Sequence, residues 1–507
     1  GITGTTTDPN MIGFPRITIT NLLPLGDSVQ TPITSDVNTY QYNDTLTWVR
    51  SRHTLKAGGD ILRVQYFQPT NSNFRGTFAF RNSWTNIPFG DFLLGMLSSS
   101  SRKIGTVTNY LFGANYGFFV QDDYKVIPNL TLNLGLRYEI LKPPMEKYGQ
   151  LTNYIPGLGK IILADDKMAP NLASMVTSAG LDGLVGVGRD YSLPASLVET
   201  DYLNFAPRLG FAWRPFSDNR SVLRGGYGIF YGGQRLSPIR TDMTGGFPFS
   251  VSQSFTRQTN NPNMLTFSNP FPASLAKFQG VTDTNGYEFQ APSQYLQSWN
   301  LTVEREIGRG VAIEAGYAGS KGSHLGRKYN INQTYRAPAL QLPDGSYPKP
   351  VQRLNSISYF AFGSNSSYNA GLLSLHKRFQ GNLFFRLNYT FAKSIDDASG
   401  LNYAGDGGYQ GAQDSRNLKG ERGRSDFDVR HVMSMNFTYQ LPFRQNWLIR
   451  GWQLAGTGRM YSGQPITPQL ANGSATLGEP TRPDRIANGR LEVRTPERWF
   501  DASAFPV

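Results

Sequence analysis

The chain has 507 residues, no cysteine and a formal net charge of +13, with an isoelectric point near 9.6. The missing cysteines exclude a disulfide framework, a thiolate metal site and a cysteine nucleophile, and Lys and Arg are scattered with no dense basic run of the kind a nucleic-acid surface carries. Hydrophobic residues make up 39%, mean hydropathy is −0.37 and no run of about 18 apolar residues occurs, which excludes a helical membrane protein; a membrane β-barrel stays open, since only alternate residues of its strands face lipid.

Residues 1–36 read as an irregular or loop lead-in, without the charged and apolar regions of a secretory signal. The first hairpin pairs 40–50 with 55–65 around Ser51-Arg52-His53-Thr54. In the second, Tyr110, Phe112, Ala114, Tyr116, Phe118 and Val120 share one face, and the turn Val126-Ile127-Pro128-Asn129 leads to the clearest strand of the chain. There Leu130, Leu132, Leu134, Leu136, Tyr138 and Ile140 alternate with Thr131, Asn133, Gly135, Arg137 and Glu139, a period of two over eleven residues. The same logic gives Phe205–Trp213 with Leu223–Tyr231 across Ser217-Asp218-Asn219-Arg220, and Trp299–Ile307 with Val311–Tyr317 across Gly308-Arg309-Gly310. It continues with Tyr368–Phe379 and Leu383–Phe391 across Gln380-Gly381-Asn382, and with Met433–Leu441 and Trp452–Met460 across Pro442–Trp447.

Between these hairpins run long segments, 142–202, 232–294, 321–366 and 395–427, rich in Gly, Asn, Asp, Ser and Pro. Short and long connections therefore alternate. Structureless loops of this length are rare in compact soluble domains but are expected at one rim of an up-and-down membrane barrel, whose other rim has short turns. Strands of about ten residues also exceed the usual globular length and match a tilted bilayer crossing. A propeller would need a fixed period, which is absent. The expectation is an all-β, antiparallel transmembrane wall of about 12–14 strands over 37–507, with short periplasmic turns and long extracellular loops. Its Leu, Phe and Tyr rows face lipid, and its Asn, Thr, Gln, Arg and Glu rows face a wet lumen. Periodicity alone does not choose the outward face, so that step rests on strand length and loop alternation.

The stretch GFFVQDDYKVIPNLTLNLGLRYE (117–139) resembles the hallmark hairpin of TonB-dependent receptors of the Oar-like type. SSYNAGLLSLHKRF (366–379), FRLNYTFAKSIDDASG (385–400), SDFDVRHVMSMNFTYQLPF (425–443), GWQLAGTGRMYSGQPITP (451–468) and RTPERWFDASAFP (494–506) are similar to further barrel segments of that family. The resemblance implies an outer-membrane transporter that binds an unknown extracellular substrate with its outer loops, passes it through the lumen and is energised by TonB through a plug. No plug, signal peptide or carboxypeptidase-regulatory-like domain of the family can be matched here. The chain is accordingly expected to be a fragment, an incomplete wall with two unpaired edges. The alternative function is an outer-membrane adhesin or structural surface barrel without TonB coupling.

Enzymatic chemistry finds little footing, and no catalytic, cofactor or metal residue is assigned. His53, His324, His376 and His431 have no zinc-type spacing. Glu304, Glu306 and Glu314 share a strand face, and paired carboxylates can do acid/base work, yet lumen-facing charges offset by nearby Arg explain them more simply. Asp122-Asp123 and Asp396-Asp397 point to opposite faces, so neither pair is a natural dyad. No nucleophile elbow or P-loop occurs. Gly225, Gly226 and Gly228 are expected to mark a bend or bulge, and Trp213, Trp299, Trp447 and Trp452 to lie near hairpin ends as an interfacial girdle.

Overall fold

A computed structural model describes residues 12–506 apart from 32, 70–72, 106–107, 233–235, 237–238, 259–264, 273–276, 279–282, 309, 336–337, 344, 346, 401–411, 444–447, 449–450 and 469–481. Twelve long strands follow one another in sequence order across a single antiparallel wall. They are β1 (Asp36–Arg50), β2 (His53–Pro69), β3 (Thr108–Ile127), β4 (Leu130–Leu141), β5 (Asn204–Trp213) and β6 (Ser221–Gly232). The second half comprises β7 (Gln294–Gly308), β8 (Val311–Asn330), β9 (Ser356–Gln380), β10 (Leu383–Asp396), β11 (His431–Gln440) and β12 (Gln453–Tyr461). Each strand pairs with the next, the register of meander hairpins.

The connections alternate as expected. Short links at 51–52, 128–129, 214–220, 309–310, 381–382 and 441–452 stand at one rim, and long ones at 70–107, 142–203, 233–293, 331–355 and 397–430 at the other. The two-residue link at 381–382 has Gly381 at φ 64° and Asn382 at φ 66°, two left-handed residues that give the primed turn matching strand twist. Trp447 and Arg309 lie outside the described residues.

Outward and inward rows separate by chemistry. In β4, Leu134 and Leu136 are 42% and 44% exposed, whereas Arg137 is folded into ion pairs with Asp60 (2.7 Å) and Glu139 (2.5 Å). Lys56, Asp123 and Asn133 form a second polar link on the same inward face, Lys56 at 3.3 Å and Asn133 donating at 2.6 Å. This is the inside-out pattern of a lipid-facing wall, since a soluble barrel would enclose the leucines. Among the described residues β1 and β12 each have one neighbour only, and every residue of β1 is exposed.

Three expectations change on inspection. The segment 321–366 is not a loop throughout, because β8 and β9 run on to Asn330 and back from Ser356, with register shifts at Gly322/Leu325 and Leu325/Arg327. Of the bend or bulge expected at Gly225, Gly226 and Gly228, the bulge is absent: β6 keeps unbroken register on both sides, and the Phe211 ring lies where a Gly225 side chain would be, 2.5 Å from an added Cβ. Trp299 sits not at a hairpin end but nine positions from Gly308, with its indole over Gly319. Trp213 and Trp452 do flank short turns.

The buried cores belong to the long connections rather than to the wall. Arg16–Ile19, Thr77–Phe80, Ser99–Gly105 and Ser250–Thr256 join with Lys277–Phe278 in a five-stranded sheet that encloses Phe78, Phe80, Leu97 and Phe255. Residues 12–36, read as irregular, thus contribute one strand to it. Thr152–Ile155, Lys160–Leu163 and Val185–Val187 form a three-stranded sheet, and Asp283–Tyr287 adds in parallel to the outer end of β9. Their shared core includes Ile155, Ile162, Ile239, Tyr287 and Phe360, and it packs on Leu111 and Tyr66 from the inward rows of β3 and β2. The long connections therefore fold into a dome seated against the inner surface at the outer mouth.

Candidate functional site: the polar mouth

Three polar fastenings hold the dome. Asn153, fully buried, donates to the carbonyls of Leu197 (3.0 Å) and Tyr287 (2.9 Å) and accepts from the Tyr287 N–H (2.7 Å), knitting three distant segments. Lys328 on β8 pairs with Asp242 at 2.5 Å, and burial pushes the Asp242 carboxyl up against the pull of that lysine. Arg327, 4% exposed, bonds Ser364 Oγ at 2.7 Å and Asp397 at both its carbonyl (2.6 Å) and its carboxylate (3.0 Å). The extended strands β8 and β9 are what bring these groups into reach.

Beside the Arg327 fastening opens a polar cleft of about 450 Å³, bounded by Asp396–Ser399, Gly420–Arg424, Asp426, Pro465–Thr467, Arg482 and Arg485. Part of its charge is spent on structure. Arg482 pairs with Glu421 at 2.7 Å, and Arg424 with the buried Asp428 at 2.7 Å, while Asp428 also accepts from the Ser394 N–H. Asp396 ends the inward row of β10 and accepts from Ser399 Oγ at 2.8 and 3.0 Å; Ser399 Oγ in turn accepts from the Asp426 N–H. Burial, together with the neighbouring Asp396 charge, raises the Asp426 carboxyl above the usual range. Arg422 is exposed at the rim. Such a surface, carrying both carboxylates and guanidinium groups, suits a polar ligand with several hydrogen-bonding groups.

The sequence candidates fall elsewhere. Glu304 and Glu314 stand opposite each other on the inward face, and Arg224 reaches Glu304 at 3.3 Å, the expected offset. Asp122 and Asp123 split between faces, Asp122 to His53 (2.7 Å) and Asp123 to Lys56 and Asn133. His431 meets Tyr389 Oη at 2.8 Å, His324 lies by Tyr295, and His376 stands opposite Arg386. Among the described residues no group of three His, Asp or Glu side chains is placed to hold a metal ion. Asp396 and Asp397, read as rim charges on opposite faces, instead line one cleft with Asp426, Glu421 and Arg482, which sequence reading missed because the connection after β10 folds back on itself and meets the segment that follows β12.

A family model described as an outer membrane beta barrel domain matches residues 1–507. The chain belongs to that family. It is an outer-membrane protein, and the inside-out wall is the family's transmembrane barrel. A comparison with curated proteins finds no match. Among solved structures, the chain is similar to the outer membrane transporter YddB from Escherichia coli, with 12% identity, TM-score 0.49, and 88% of this chain and 44% of that one covered. It is also similar to the ferripyoverdine receptor of the outer membrane of Pseudomonas aeruginosa (10%, TM-score 0.40, 89% and 41%) and the siderophore receptor PirA from Acinetobacter baumannii (9%, TM-score 0.41, 88% and 46%). This outer-membrane chain spans less than half the length of those proteins.

Proposed function

We propose that the chain supplies barrel wall and outer loops to a TonB-dependent transporter, which captures a polar extracellular solute at the mouth and passes it along the charged inner surface; it is a carrier and not an enzyme. The observation that carries this reading is the location of the buried cores. A barrel serving only as an anchor needs no ordered dome, whereas this chain folds its long connections against the inner mouth and leaves a charged cleft beside them. The Oar-like resemblance adds the coupling: TonB would act through a plug outside this chain.

The test is depletion of solutes from a defined medium by cells with and without the gene, with and without a protonophore. At least one polar compound should be depleted only by cells carrying the gene, and its depletion should stop with the protonophore and fall severalfold with Asp396→Ala/Arg422→Ala. Depletion that ignores the protonophore would refute TonB coupling. No depletion, together with attachment of the cells to a surface that requires the gene, would favour the adhesin reading.

A further inference from the structure

On the outward face of β1–β4, near the outer rim, lies a cleft of about 530 Å³ bordered by Asn38, Arg63, Gln65, Phe67, Tyr110 and Lys147, with Asp36 at its upper edge. Its position follows from register. Arg63 stands opposite Tyr40 and Ala114, in the row that carries Ile61, Tyr116 and Phe118 across the membrane. From His53 beside the short turn to Arg63 is ten residues (63 − 53), or about 33 Å of strand; at a tilt near 45° that is about 23 Å of height, close to the ~25 Å apolar band of such barrels. Arg63 therefore emerges where the outer hydrocarbon boundary lies, and Phe67, Tyr110 and Lys147 stand above it in the headgroup layer.

Two further cations stand on this part of the outward face, Lys147 lining the cleft itself and Lys142 beside it. Leu141 pairs with Asn115, so the next residue, Lys142, is level with Ala114 and flanks it on the side opposite Arg63. Lys142 Nζ lies 5.5 Å from the Tyr116 ring. Lys147 is fixed by its main chain, whose N–H donates to the Tyr110 carbonyl, and its Nζ lies 5.4 Å and 5.3 Å from the Tyr110 and Tyr148 rings. Buried Glu146 orders this corner by accepting from the N–H groups of Tyr110, Tyr148 and Gln150. Among the described residues Arg63, Lys142 and Lys147 take part in no ion pair, although Arg137 and Lys56 on the other face of the same strands do. Three cations outside any ion pair, two of them beside aromatic rings, together with two amides at the level of lipid headgroups, are a receptor for anionic oxygens.

We infer that this outward cleft binds a phosphate group of an outer-leaflet glycolipid, with Arg63 below, Gln65 and Asn38 donating above it, Lys147 closing the upper side, and Lys142 adding its charge from beside the cleft. The acyl chains would lie on the apolar row below, along Ile61, Tyr116 and Phe118.

The test is binding to the protein extracted from outer membranes in detergent, followed by native mass spectrometry during titration with bisphosphorylated lipid A, dephosphorylated lipid A, phosphatidylethanolamine and inorganic phosphate. Each headgroup-level cation is worth roughly fivefold in affinity. Bisphosphorylated lipid A should bind at least about tenfold tighter than the dephosphorylated form. The variant Arg63→Ala/Lys142→Ala/Lys147→Ala should lose that preference, and a variant with the same charge change on the inward face, Arg208→Ala/Arg386→Ala/Arg459→Ala, should keep it. Arg63→Lys should keep most of it, which guards against misfolding as the cause. Equal binding of both lipid A forms, equal loss in both triple variants, or inorganic phosphate competing at the lipid's own concentration would overturn the inference. Solute uptake does not enter this readout, so the transport proposal stands or falls separately.

Discussion

The wall and the dome obey opposite rules although they are built from one chain. In the wall, large apolar residues such as Leu134, Leu136, Phe118 and Val120 are exposed and charges such as Arg137 are folded away, whereas in the dome Phe78, Phe80, Ile162 and Tyr287 are enclosed as in any soluble protein. The contrast teaches that burial is a statement about solvent: lipid removes the reason to hide a leucine, and water at the mouth restores it. Each region therefore responds to a different substitution.

The largest effect is expected in the dome. Phe360, on the outer end of β9 where the dome packs, is 2% exposed and stacks on Tyr287 at 5.3 Å with ring planes 6° apart. Phe360→Ala should cost the dome about 3–5 kcal/mol through lost burial and the cavity left behind. Limited proteolysis should show faster cleavage within 142–203 and 233–293, while the heat-dependent gel mobility of the barrel stays as in the wild type. If wall and dome melted together, they would be one cooperative unit and the comparison would fail.

A smaller effect is expected in the wall, with sign set by the face. Leu134 lies four residues above Leu130, close to the middle of the bilayer on the outward row. Leu134→Arg should destabilise the folded state by about 2–4 kcal/mol in lipid. Asn133→Arg, one residue away on the wet face, should change it by less than about 1 kcal/mol. Urea unfolding in liposomes reads both, and equal costs would deny that the two faces meet different solvents.

What the sequence could reveal follows the same division. The wall was legible because each strand repeats a two-residue rule and each short turn has its own signature, so Leu130–Leu141 or Gln380-Gly381-Asn382 could be read locally. The dome was not, because its strands are short and meet partners far away: Arg16–Ile19 pairs with Thr77–Phe80, and Asp283–Tyr287 with Ser356–Phe360. The continuation of β8 and β9 past the bilayer was hidden by their Gly, Ser and Asn content, which reads as loop although the strands persist. The bulge expected at Gly225 failed for a related reason. A glycine in a strand signals room, and only the neighbouring strand shows that the room is taken by Phe211. The polar cleft suffered most, since no window of sequence contains Asp396, Asp426 and Arg482 together.

The smallest expected effect lies where the two regions meet. Asp426 has its carboxyl raised above the ordinary value of 3.8 by burial and by the charge of Asp396, with Glu421, Arg422, Arg424 and Arg482 around the same cleft. A raised acid titrates in the opposite sense to an ion-paired one. Below its unfolded value it is neutral in both states and costs nothing. As pH rises through the raised folded value, the folded cleft must hold a second negative charge beside Asp396, and stability falls. The segment 412–428 should therefore be tighter near pH 4 than near pH 7, by well under 1 kcal/mol because the group is partly open to water. Asp426→Asn should remove that slope and tighten the segment at neutral pH, which hydrogen exchange of the 412–428 amides across this range can read. A slope left intact in Asp426→Asn would assign the pH response to other acids of the cleft, Asp396 or Glu421, while a wild-type segment that loosened toward pH 4 would mean that Asp426 is held as a stabilised anion and that the guanidinium groups, rather than Asp396, govern its charge.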